Sequence, residues 1–340
     1  MEKITVVNDG TVASRILYEK LVERLEKEKI LAQVRNFAIE CETNSGLSNS
    51  NGIKEYKGKI SSLAKNIGDS SMLLIHLAPV SQEVIEADPY LKYVGSERSS
   101  LVNIDLQSAR QHGITVCFAP GRNVRTVAEF TIGLILSLAR RISEADSLVK
   151  RGDWTTSFDR KPFTGIELEN KTLGIIGMGN IGKEVNDLLS GFGMKVLFYD
   201  PFVSSDYNGA RCVDLHELIQ ESDIITIHAR DTGEGALLSQ KEFESMKQGV
   251  LLINTSRGCL VDQKALIAQL LSGHLGGAAL DVYEEEPLPQ DSPLLKMHNV
   301  ILTPHLGGLS KDMEPRSAKM VVDDVIHFLK GEPLERRAQL

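Results

Sequence analysis

The sequence predicts an α/β protein made of two doubly wound parallel-sheet domains, and three observations predict it. At 340 residues the chain is long for a single hydrophobic core. Short β-rich runs alternate with helical stretches along most of it, the pattern of parallel sheets covered by helices. The turn Gly177-Met178-Gly179-Asn180-Ile181-Gly182 follows the apolar run Leu173-Gly174-Ile175-Ile176 and opens a helical stretch near Lys183, a strand–turn–helix unit of such sheets.

In chain order, the first part reads as strands at 4–7, 72–77 and 93–95, with helices near 12–28 and 106–112. The segment 41–58, rich in Asn, Ser and Gly, reads as a mobile surface loop. A long helix over 123–150 is too continuously apolar to have a wet side, which implies burial between layers or between subunits. Residues 154–169 are polar and irregular. The alternation is then cleaner, with strands at 172–176, 195–199, 224–228, 250–254, 277–281 and 300–303. The last helix, 317–330, is expected to pack back on the first domain, giving one domain of 1–103 with 309–340 and another of 104–308.

Composition excludes several classes. A 42% hydrophobic and 25% charged chain is that of an ordinary globular protein. A net charge of −8, with Arg140-Arg141 and Arg336-Arg337 as isolated basic pairs, lacks the basic footprint of a nucleic-acid binder. Cys41, Cys117, Cys212 and Cys259 form no CxxC or Cys/His cluster, so neither a disulfide framework nor a metal site is expected. They read as reduced thiols in a cytoplasmic protein, with Cys259 a bystander near a candidate site. The N-terminus has no signal-peptide pattern, and the apolar stretch 130–139, broken by Thr131, Gly133 and Ser137, is too short for a membrane span.

The glycine turn has a physical reading. Gly177 permits the tight turn, Gly179 lets the backbone approach a pyrophosphate, and Gly182 lets helix and strand pack closely. The phosphates then sit at a helix N-terminus and need no basic side chain, which suits an acidic protein. Asp200 ends the next strand, about 20 residues further on, where an acid bonds the ribose hydroxyls and repels a 2′-phosphate. NAD is therefore expected over NADP. Asp200 could alternatively cap its own turn with Pro201.

Three further strands end in polar residues: Asn254-Thr255-Ser256-Arg257-Gly258, Asp281-Val282-Tyr283-Glu284-Glu285-Glu286-Pro287 and Thr303-Pro304-His305-Leu306-Gly307-Gly308. All strand ends of a parallel sheet share one edge, so Arg257, Asp281, Glu286 and His305 should converge there. The set suits the oxidation of a small 2-hydroxy acid. His305 would take the hydroxyl proton, and Glu286 would hold the far imidazole nitrogen. Arg257 would clamp the substrate carboxylate with its planar fork, and Asp281 would accept from the nicotinamide carboxamide. Taken singly each has a plainer role: a capped histidine, a wet acidic turn, a surface ion pair.

These residues closely resemble the D-2-hydroxyacid dehydrogenases. The matching text runs from Phe163-Thr164-Gly165 through Gly182, then Asn254 to Gly258 with Val261-Asp262, Gly277 to Val282, Glu286-Pro287, and Thr303 to Gly308. Asn103-Ile104-Asp105 and Asn123 to Glu129 also match. The resemblance implies a Rossmann-type cofactor domain, a flavodoxin-like substrate domain built from both chain ends, and a cleft between them that closes by a hinge. It implies a homodimer packed through the long helix. It places catalysis on Arg257, Glu286 and His305, and cofactor contacts also at His228, Ala229, Thr255, Ser256 and Gly307. The substrate carboxylate falls to the amides of Ser99 and Ser100, with Asn123 nearby.

The chain departs from the family at two points. The loop Ser96-Glu97-Arg98-Ser99-Ser100 replaces a Gly-rich one, so Arg98 either reads a second polar or anionic group on the substrate or pairs with a nearby acid. Arg230 stands where many relatives carry Pro, facing either the adenosine or solvent. The end at Leu340 suggests no regulatory domain and no feedback by an amino acid. Phosphoglycerate dehydrogenase is the nearest named activity. An NAD(H)-sensing binding protein on the same fold is the alternative from another class, and formate oxidation is disfavoured because it needs no Glu/His pair.

Overall fold

The computed structural model describes residues 1–41, 47–50, 52–154 and 164–339, and it divides into two compact units, Met1–Asn123 with Ser310–Leu340 and Val124–Leu309. Phe163, quoted above, lies outside the described residues.

The first unit carries strands β1 (Glu2–Asn8), β2 (Ala32–Ala38), β3 (Ser48–Ser50), β4 (Ile53–Tyr56), β5 (Met72–Ile75), β6 (Tyr93–Ser96) and β7 (Thr115–Cys117). Five of them form an all-parallel sheet in the order β2-β1-β5-β6-β7. With the β3–β4 hairpin set aside, this is the flavodoxin-like order, which reverses direction between β1 and β5. The helix Val12–Glu28 starts at Thr11, whose hydroxyl accepts from the Ser14 amide. Its Leu17, Leu21 and Leu25 repeat every fourth residue and are buried against Val321, Val322 and Val325 of the C-terminal helix Met313–Lys330. That shared core is why the end of the chain belongs to this unit.

Two strands of this five-stranded sheet escape the sequence reading. β2 lies at a sheet edge, where half-exposed positions blur the apolar signal, and β7 is only three residues long. Because β7 pairs with β6, residues 104–123 lie in this unit, whereas the sequence put them in the other. Part of the supposed loop 41–58 is the antiparallel β3–β4 hairpin, while residues 42–46 and 51 lie outside the described residues.

The second unit carries β8 (Thr172–Ile176), β9 (Lys195–Tyr199), β10 (Ala210–Cys212), β11 (Ile224–Ile227), β12 (Val250–Asn254), β13 (Leu275–Leu280) and β14 (Val300–Leu302). They form one parallel sheet in the order β10-β9-β8-β11-β12-β13-β14, the Rossmann order with one strand added. Every residue of β11 and β12 is buried, as expected for strands covered on both faces. The long helix is two helices, Val124–Ala139 and Ile142–Lys150. Arg141 adopts φ 55, a left-handed conformation that ends the first helix, so the Arg140-Arg141 pair marks a break between the two. The first helix buries Ala128, Ile135 and Leu138, whereas the second buries none of its residues.

Among the described residues no helix is long and apolar enough to cross a membrane, and no cluster of His, Cys, Asp or Glu could hold a metal ion.

Candidate active site

The direction reversal of the second sheet lies between β8 and β11, and the glycine turn follows β8. Gly177 has φ 97, and a Cβ there would stand 2.5 Å from the Ala229 nitrogen. A Cβ at Gly182 would stand 2.2 Å from the Gly177 oxygen. Gly179 differs: nothing lies within 4 Å of where its Cβ would be. Two glycines thus permit backbone packing, and the third leaves open space over the helix Asn180–Leu189, whose first turn receives no side-chain cap from Gly179. Uncapped amides beneath an open backbone suit a pyrophosphate. Met178 is wholly buried, while Asn180 is exposed and Ile181 half-buried.

The Asp200 carboxylate accepts from the amides of Met178 and Phe202, each at 2.8 Å. It therefore both caps its own turn and is held against the glycine turn, with lone pairs left for ribose hydroxyls. His228 meets the Thr226 hydroxyl at 3.0 Å through Nε2, while its buried Nδ1 has no partner. Burial pushes His228 down to about 3, so it is neutral. The Ala229 carbonyl accepts from the Ser256 hydroxyl at 2.6 Å, and the Thr255 and Thr131 hydroxyls meet at 2.9 Å. The side chains of Thr255 and Ser256 thus fasten the end of β12 to its neighbours.

The reactive set lies wholly in this unit. Glu286 Oε2 lies 2.8 Å from His305 Nδ1, and Glu286 Oε1 accepts from the Tyr283 amide at 3.1 Å. Burial pushes the Glu286 carboxyl up, but the bonds from His305 and the Tyr283 amide, with the charges of His305 and Arg257, hold it below its ordinary value. About half of the His305 side chain is exposed. With Nδ1 engaged, its Nε2 is the nitrogen left to meet a ligand. His305 itself has φ 55, a conformation that costs a non-glycine residue roughly 1 kcal/mol and that the surrounding bonds must enforce.

Those bonds converge on Asp281, which is 1% exposed. Its Oδ1 accepts from the Thr303 hydroxyl at 2.6 Å and the Leu306 amide at 2.8 Å, and its Oδ2 accepts from the Gly307 amide at 2.7 Å. The residue expected to face the nicotinamide is committed to the loop that carries His305. Asp281→Asn would turn an NH2 group toward donors, so it is expected to lower stability by about 2 kcal/mol and activity with it. Denaturant unfolding beside turnover tests this, and an unchanged midpoint would remove the bracing role.

Arg257 is exposed, and its backbone is fixed by Asn254, whose Nδ2 donates to the Arg257 carbonyl at 2.9 Å while its Oδ1 accepts from the Ser256 amide at 3.0 Å. The Arg257 Nη1 donates to the Ser256 carbonyl at 2.7 Å. Asn254 and Tyr283 were missed as supports by the sequence reading, although both stand in strand-end segments it quoted. Tyr283 donates its hydroxyl to the carbonyls of Leu280 and Thr303, at 3.0 and 2.9 Å.

In the first unit, Ser99 and Ser100 are exposed and their amides have no partner among the described residues, while Asn123 is half-buried at the unit's end. Arg98 is buried and bonded to Glu55, through Nη1 to its carbonyl at 2.6 Å and through Nη2 to its carboxylate. Of the two readings left open, the ion pair is the one observed. Arg230 is exposed, with no ion-pair partner among the described residues.

A dinucleotide turn and an acid-held imidazole on one edge of a Rossmann-order sheet define a dinucleotide-dependent dehydrogenase fold. The family model described as D-isomer specific 2-hydroxyacid dehydrogenase, NAD binding domain, matches residues 132–307, and the chain belongs to that family. It is 37% identical over 324 residues to D-3-phosphoglycerate dehydrogenase of Archaeoglobus fulgidus, covering 94% of this chain but 59% of that one. It is 40% identical over 258 residues to glyoxylate reductase of Korarchaeum cryptofilum, covering 75% and 78%. Among solved structures, the apo-structure of D-lactate dehydrogenase from Escherichia coli matches with TM-score 0.72 at 27% identity, over 99% of this chain and 100% of that one. The chain thus spans less than two thirds of the Archaeoglobus relative.

Proposed function

We propose that the protein is an NAD-dependent oxidoreductase acting on a small 2-hydroxy acid or the matching 2-keto acid. The observation that carries this is the 2.8 Å contact between Glu286 and His305 Nδ1, which leaves the other imidazole nitrogen exposed on the edge that bears the glycine turn. When bound, NAD(H) supplies or receives the hydride. In the reducing direction the protonated imidazole gives its Nε2 proton to the keto oxygen, and Glu286 stabilises the charge it carries beforehand. In the oxidising direction the neutral imidazole takes that proton back. Arg257 holds the carboxylate and polarises the adjacent carbonyl, with its backbone anchored by Asn254. The amides of Ser99 and Ser100 are assigned to substrate binding, and the 2′-hydroxyl side of the ribose to Asp200.

The names of the relatives suggest phosphohydroxypyruvate and glyoxylate as first substrates to try. NADH oxidation should be followed with these two, hydroxypyruvate and pyruvate. Turnover of one of them supports the proposal. Tight NADH binding with no turnover on any would favour a sensing role and reject the enzymatic one. A cytoplasmic homodimer belongs to the same proposal. Four free cysteines support the compartment, and the exposed Ile142 and Val149 on the second half of the long helical segment support the contact face.

A further inference from the structure

The glycine turn of the second unit brings no cation of its own. Residues 177–182 contain no Lys or Arg, and the ammonium of Lys183, the next residue, lies 5.0 Å from the centre of the Tyr207 ring. The carboxylates around the turn are already engaged. Asp200 accepts from the amides of Met178 and Phe202, and Glu184 pairs with Arg125 at 2.9 Å. No acidic side chain stands in the first turn of the helix Asn180–Leu189, so nothing there opposes an anion at its amides.

The loop after β11 runs against this turn. β11 and β8 are neighbours at the direction reversal of the sheet, the place where such sheets hold a dinucleotide. The His228 amide donates to the Ile176 carbonyl at 2.7 Å, and the Ser256 hydroxyl donates to the Ala229 carbonyl at 2.6 Å. The Ala229 nitrogen stands 2.5 Å from where a Cβ on Gly177 would be. The backbone is therefore fixed beside the turn as far as residue 229, and Arg230 follows directly. Its side chain is exposed, and among the described residues no hydrogen bond or ion pair engages it. Two carboxylates lie within four positions of it, yet both are held inside the loop. Asp231 accepts from the Gly233 amide at 2.8 Å, and Glu234 from the Thr232 hydroxyl at 3.3 Å. In a chain of net charge −8, this guanidinium is left without a carboxylate beside the turn that suits a pyrophosphate. All of these residues belong to the unit Val124–Leu309.

We infer that Arg230 binds the pyrophosphate of the dinucleotide, adding a salt-sensitive ionic contact to the amides of the glycine turn. A guanidinium presents paired donors that match two phosphate oxygens. The pyrophosphate is the anionic part of NAD, and Asp200 disfavours a further phosphate on the ribose. The inference goes beyond the proposed reaction and holds whichever acid is turned over.

The test measures binding to wild type, Arg230→Met and Arg230→Lys, and needs no turnover. NADH is titrated by fluorescence at low and at high ionic strength, and ADP and adenosine are then used to displace it. Arg230→Met is expected to weaken NADH and ADP about tenfold, the low end for a hydrogen bond to a charged group because the side chain is exposed. Adenosine, which carries no phosphate, should weaken by about twofold at most. The wild-type affinity for NADH should fall with salt more steeply than that of Arg230→Met, and Arg230→Lys should recover part of the loss. Equal weakening of adenosine and ADP would place the guanidinium on the base or the ribose and overturn the inference. An unchanged NADH affinity, or the same salt dependence in wild type and Arg230→Met, would overturn it too. If the expected differences appear while no keto acid is reduced, the proposed function has failed and the pyrophosphate contact has not.

Discussion

His305→Ala is expected to lower kcat for reduction of the preferred keto acid about a thousandfold, the middle of the range for a positioned proton donor. NADH binding, followed by fluorescence, should change far less, because the glycine turn and Asp200 lie after other strands of the sheet. A variant that kept a tenth or more of wild-type kcat would remove His305 from proton transfer. Glu286→Gln tests the partner. The Glu286 carboxyl is pushed up by burial, yet the bond from His305 and the nearby charges hold it down. Such a bond works both ways: the carboxylate that gains from the imidazolium also stabilises it. Reduction needs a proton on the ring, so removing the carboxylate should lower kcat for reduction by about tenfold or more while NADH binding changes little. An unchanged kcat would show that Glu286 only shapes the loop.

Gly258→Ala is expected to be the most damaging single methyl group in the second unit. The added Cβ would stand 1.9 Å from the Tyr283 oxygen and 2.6 Å from the Glu284 nitrogen, both backbone atoms that no side-chain rotation can clear. Either the Arg257 turn or the 283–286 loop must move. Overpacking of this severity costs about 3 kcal/mol, or a fall in Tm of roughly 6–12 °C for a unit of this size. Activity should fall further than the loss of folded protein explains, because Arg257 precedes the clash and Glu286 follows it. Gly273→Ala makes a useful comparison, since it has the left-handed φ of 74 but nothing within 4 Å of a new Cβ. It should cost about 1 kcal/mol, through backbone strain alone. Equal melting temperatures for the two variants would show that the loops yield easily and that their close approach is not needed.

Much of the second unit could be read without coordinates. β8 and β11 are continuous apolar runs, and the glycines stand at a spacing that chain geometry itself demands. The catalytic candidates were legible because each follows a strand of one parallel sheet, so sharing an edge follows from strand direction alone. The first unit was harder. β2 alternates half-exposed with exposed positions at a sheet edge, and β7 is too short to show a period. The break at Arg141 was hidden because a left-handed residue ends a helix without changing its composition.

The sequence by itself determined the fold class, the glycine turn and the candidate side chains for the proposed chemistry, since these depend on periodicity and on neighbours a few residues apart. Only the tertiary structure decided which of those side chains are already taken. Arg98 is bound by Glu55, and Asp281 by three donors of the His305 loop. Each of these pairings joins residues some twenty to fifty positions apart through loops of irregular backbone. No period along the chain encodes such a contact. It is set by which strand ends the folded sheet places side by side, and by how little water remains there to satisfy a charge.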